Sequence, residues 1–71
     1  MSVPNSVWIW VEEPVSSSKL TVVDELIDAT VLDMADAVDI SRKANQVHKQ
    51  YLWHLVPVRK PGTYVVQGNP R

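Results

Sequence analysis

The residues with chemical potential in this chain are few and scattered. His48 and His54 are the two histidines, and there is no cysteine. A metal centre needs three or four ligands held in fixed geometry, and this pair lies six positions apart with no third ligand beside it. Ser16-Ser17-Ser18 supplies hydroxyls in a loop, without the adjacent base and orienting acid that activate a nucleophile. Glu12-Glu13 and Asp24-Glu25 are neighbouring carboxylates on strand-like segments. Successive strand side chains point to opposite faces, so neither pair converges for acid–base work. Gly62 and Gly68 stand alone, so no glycine-rich phosphate loop is present. Catalytic residues, metal ligands and cofactor sites are all expected to be none, and nothing implies a small-molecule substrate.

Three tryptophans in 71 residues are a stronger signal. A tryptophan supplies a large apolar area to a core or an interface. Trp8, Trp10, Trp53, Tyr51 and Tyr64 could stack on bases beside Lys49, Arg59 and Lys60, which makes a small nucleic-acid-binding domain built on the basic C-terminal half the alternative reading. Aromatics on strands of a protein without phenylalanine are better spent on the core, which argues against it. Interaction with protein is the preferred reading, with a homodimer the first partner to test. The candidate interface residues are Trp8, Trp10, Glu12, Glu13, Trp53 and Arg59. The first strand is also a candidate edge for pairing with its copy.

Charge is segregated along the chain. The net charge is −1, yet all eight acids fall between Glu12 and Asp39, and six of the seven basic residues fall between Arg42 and Arg71. The halves can attract each other within the fold, or form a dipolar surface that meets a charged partner or a second copy. No apolar run reaches membrane-spanning length, so no membrane partner is expected. No signal peptide is visible.

One helix is expected to organise the elements. Thr30 is read as its cap, Asp33 as its third position, and Asn45 as its stop. Val31, Met34, Ala35 and Val38 then form the buried face by their i, i+3, i+4, i+7 spacing. Residues 1–6 read as a flexible leader. Val7 to Val11 is β-branched or aromatic throughout and reads as the first strand, with Trp8 and Trp10 on one face. Lys19 to Leu26 reads as the second. Tyr51 to Val56 reads as the third, with Leu52, His54 and Val56 sharing a face. Pro61-Gly62 marks a turn, Thr63 to Val66 reads as a short fourth strand, and residues 67–71 as a tail. His48 is expected in solvent and His54 partly buried. The domain is thus placed at residues 7–66.

The order strand, strand, helix, strand resembles that of ubiquitin-like domains. Thr30 to Val38 is similar to the Thr-Val-x-Asp-Leu-x-x-Ala-Ile helix start of the N-terminal domains of Crinkler effectors, and Ile27-Asp28 to the Ile-Asp that ends their second strand. Leu52-Trp53-His54-Leu55-Val56-Pro57-Val58 resembles their Leu-Trp-x-Val strand. Val7 to Glu13 fits their opening strand. The oomycete Leu-Phe-Leu-Ala-Lys motif is absent, as in fungal members. The resemblance covers roughly residues 7–59 and implies an α+β fold: a ubiquitin-like β-grasp in ββαβ(β) order, with one helix packed on a small mixed sheet. It further implies a non-catalytic interaction and delivery module of a secreted effector that acts inside a host cell, with the nucleus a destination.

Overall fold

The computed structural model describes residues 6–15 and 17–71. Five strands and one helix follow in chain order: β1 (Val7–Trp10), β2 (Thr21–Val23), a 3-10 turn (Leu26–Asp28), β3 (Leu32–Asp33), α1 (Met34–Val47), β4 (Tyr51–Pro57) and β5 (Thr63–Pro70). The result is a small α+β domain, with the helix packed against one face of a five-stranded sheet. The leader lies mostly outside the described residues. Ser6, its last member, is tied down: its hydroxyl donates to Asn69 Oδ1 at 2.8 Å.

β5 is the centre of the sheet. One of its edges pairs with β4 along nearly its whole length, from Tyr51↔Pro70 to Pro57↔Tyr64. The other edge is shared. Gly68 and Gln67 pair with Val7 and Trp8 of β1, while Tyr64 and Thr63 pair with Leu32 and Asp33 of β3. β2 adds to the far edge of β1. Residues 67–70, expected as a tail, are therefore strand, and β1, expected as an edge, lies between two partners.

Every one of these pairings is antiparallel, where a mixed sheet was expected. β3 and β4 run parallel to each other, but β5 lies between them, so α1 makes the crossover without creating a parallel ladder.

Thr30 does a different job from the one its sequence position suggests. Its N–H donates to the Ile9 carbonyl at 3.0 Å. Its hydroxyl accepts from the Val11 N–H at 2.8 Å and donates to the Val11 carbonyl at 3.0 Å. Thr30 thus satisfies the backbone of β1 where that strand leaves β5 and β3 takes its place. Val11 is buried, so removing the hydroxyl strands two backbone groups away from water. Thr30→Val is expected to cost about 1–3 kcal/mol, read as a lower urea midpoint.

The cap of α1 is Asp33, whose carboxylate accepts from the Asp36 N–H at 2.8 Å. The helix starts at Met34, so Val31 lies outside it, and the buried stripe is not the expected one. Val31, Met34 and Ala35 are exposed, and Ala37, Ile40 and Ala44 face the sheet instead. The two alanines let the helix backbone approach closely, and Ile40 fills the remaining space. The helix runs past Asn45 to Val47 and ends where the His48 N–H bonds the Ala44 carbonyl.

The core gathers Val7, Ile9 and Val11 of the first strand region, Leu20, Leu32, the α1 stripe, Trp53 and Val66. β2 is shorter than expected, because the chain leaves the sheet after Val23 and Leu26 belongs to the 3-10 turn, not to the Leu20–Val22 face. Gly62, at φ 81°, supplies the left-handed residue of the β4–β5 turn.

Candidate interaction surface

The six candidate residues separate into different environments. Trp53 is core, 4 % exposed. Its ring packs edge-on against Tyr51 and His48, with centroids 5.5 and 6.2 Å away, and its Nε1–H donates to the His48 carbonyl at 3.0 Å. Asn45, on α1, holds the same residue from its backbone: Oδ1 accepts from the Trp53 N–H and Nδ2 donates to the Trp53 carbonyl. That side-chain amide acts like a neighbouring strand and seals the outer edge of β4 at its middle.

Trp8 and Trp10 share a face of β1, as their alternation requires, and it is the face turned away from the core residues Val7 and Ile9. Trp8 is half-buried, and Trp10 is 42 % exposed. Trp10, Glu12 and Glu13 do come together. With Ser18, Lys19 and Thr21 they line an open cleft of about 430 Å³ at the end of the β1–β2 hairpin. Arg59 is exposed in the β4–β5 turn and does not line this cleft.

Register shows what else lies on the Trp8–Trp10 face. Val23 and Gln67 flank Trp8, and His54 lies beyond Gln67. Val65 and Val56 pair on the same face, as do Asn69 and Leu52. An antiparallel sheet covered on one side ordinarily turns polar residues outward. Here the outward set includes Trp8, Trp10, Val23, Leu52 and Val56. None of the residues on β1, β2, β4 or β5 is Asp, Glu, Lys or Arg, and β3 adds Asp33 to this face opposite Thr63.

The histidines exchange their expected roles. His48 is half-buried, with Nε2 3.1 Å from the Leu20 carbonyl. A carbonyl only accepts, so this nitrogen carries the proton. His54 is exposed and bonds Gln67 Oε1 at 2.8 Å. Among the described residues no group of His, Asp and Glu side chains is arranged to hold a metal, and no helix is long and apolar enough to cross a membrane. Of the aromatics considered for base stacking, Trp53 is buried and Tyr51 and Tyr64 are half-buried against the core.

A second surface was hidden in the sequence. Leu26, Ile27, Val31 and Met34 are each more than half exposed, and Ile27 reaches 85 %. They lie on the segment that carries the chain from one edge of β1 to the other and into α1; its 3-10 turn packs on β1. Periodicity had placed Val31 and Met34 in the core. The signal that finds them is Asp33 as the cap, which leaves Val31 outside the helix, together with the second i, i+3, i+7 stripe at Ala37, Ile40 and Ala44. Around them are Asp24, Glu25, Asp28, Asp33, Asp36 and Asp39, with no basic residue between Lys19 and Arg42. The Asp36 carboxyl is held above the usual carboxylate range, first by partial desolvation and then by the neighbouring charges of Asp33 and Asp39.

Compared with known proteins, the chain matches no family model, no curated protein and no solved structure. Its function therefore has to be argued from these surfaces.

Proposed function

We propose that this chain is a non-catalytic protein-interaction module that self-associates through the sheet face turned away from α1. The observation that carries this reading is the outward face itself. It presents Trp8, Trp10, Val23, Leu52 and Val56 on strands that hold no Asp, Glu, Lys or Arg. An exposed apolar surface of this kind marks an interface. A twofold contact sets the same patch against itself, and strands without charged residues meet their copies without like-charge repulsion.

The narrower reading is a ubiquitin-like β-grasp header of a secreted, fungal-type Crinkler effector, delivering a downstream activity into a host cell. Its support is the single helix set between strands and the Leu52–Pro57 run on β4; the extra strand β3 ahead of the helix departs from the ββαβ(β) order. The uniformly antiparallel pairing weighs against it.

Trp10 is the anchor expected of such a contact, because it is large, aromatic and accessible. Trp10→Ser is expected to weaken the dimer by about tenfold or more while leaving the far-UV circular dichroism unchanged. Sedimentation equilibrium of the two proteins side by side reads the difference, and equal dimer constants would remove this face from the account.

A further inference from the structure

The exposed apolar ridge between the sheet and α1 asks for a different occupant. Leu26, Ile27, Val31 and Met34 put four large apolar side chains into water over a short stretch of chain. Six carboxylates lie along the same stretch of sequence, at positions 24, 25, 28, 33, 36 and 39; Asp39 stands beside Arg42 and Lys43, and no Lys, Arg or His falls among the other five. Two copies meeting ridge to ridge would set these carboxylates against one another, a costly arrangement. The ridge is therefore poorly suited to pairing with its own copy.

We propose that this ridge docks a cationic amphipathic segment of another protein, apolar along one face and bearing Lys or Arg at its margins. The proposal deepens the interaction reading and rests on it only in taking this chain to work by contact. The partner's apolar face would cover Ile27 and its neighbours, and its cations would meet the carboxylate rim. The crowding at the start of α1 fits such a partner: the Asp36 carboxyl is held above its usual range first by desolvation and then by Asp33 and Asp39, and an arriving cation relieves the repulsive part. Charge at the rim also favours fast, salt-sensitive encounter.

The test is a nuclear magnetic resonance titration with three synthetic amphipathic helices of one apolar pattern, differing only in polar residue: Lys/Leu, Gln/Leu and Glu/Leu. It is run at low and high salt, on the wild-type chain and on Ile27→Ser. Ile27 is so exposed that its replacement leaves the fold intact. The expected result is saturable binding of the Lys/Leu helix alone, with shifts concentrated in residues 24–39. That binding should weaken about tenfold or more in Ile27→Ser, and weaken again in high salt.

Equal binding of all three helices at the ridge would overturn the cationic partner and leave an apolar docking surface standing. Binding that maps elsewhere, or that ignores Ile27→Ser, would overturn the ridge. No binding of any helix would overturn both. None of these outcomes touches the dimer, which sedimentation measures separately.

Discussion

Trp53→Ala is expected to leave the domain unfolded at 25 °C. Removing a buried tryptophan costs about 3–5 kcal/mol through lost burial and the cavity left behind. A single core in a chain this short supplies only about 3–5 kcal/mol in total. Trp53 is also more than a filler. It contacts Tyr51 and His48, donates from Nε1 to the carbonyl that ends α1, and lies over the backbone of the central strand at Gly68. Truncation removes the material that joins α1, β4 and β5. Far-UV circular dichroism and urea titration of the variant check this. A cooperative transition near the wild-type midpoint would show that the core does not depend on Trp53.

Gly68→Ala is the second large effect, and it acts through the same contact from the other side. A Cβ built at position 68 lies 2.6 Å from one Trp53 ring carbon and 2.8 Å from two others. The ring is held by its own hydrogen bond and by burial, so it cannot simply swing away. Overpacking of this kind costs about 1–3 kcal/mol. The mechanism also predicts a rescue. In a Trp53→Leu background the indole is gone, and Gly68→Ala should then cost much less than it does alone. Such non-additivity is what two residues in direct contact show. Purely additive losses in the double-mutant cycle would place the role of Gly68 in backbone conformation instead.

This pair explains part of what could not be read in advance. Gln67-Gly68-Asn69-Pro70 looks like a tail because glycine, asparagine and proline are poor strand formers. Each has a particular place in β5. Gly68 makes room for Trp53, Asn69 accepts from Ser6, and Pro70 stands at the end of the strand opposite Tyr51. Those reasons are tertiary and leave no local signal. The strands Val7–Trp10 and Tyr51–Pro57 were legible because β-branched and aromatic residues dominate them. The Pro61-Gly62 turn was legible because it needs a left-handed residue.

The helix was legible in existence and misplaced in phase. Thr30 and Asp33 are both good caps, and local preference does not choose between them. The β1 backbone at Ile9 and Val11 claims Thr30, which leaves Asp33 to start the helix. The later start leaves Val31 outside the helix, and the Ala37, Ile40 and Ala44 stripe takes the sheet, so Val31 and Met34 are left exposed. The same long-range logic governs the candidate site: composition could flag Trp8, Trp10 and Trp53 together, but only the register of β1 and β4 sends the first two outward and the third inward.

The central claim is association through the apolar residues of the outward sheet face, and sedimentation equilibrium of the intact chain at low and high salt tests it most directly. The account predicts a reversible dimer whose constant changes little with salt, because β1, β2, β4 and β5 carry no charged residue and Asp33, Glu12, Glu13 and Lys19 lie beyond them. A dimer that dissolves in salt would transfer the contact to the segregated acidic and basic halves. A strict monomer across the concentration range would contradict the account outright.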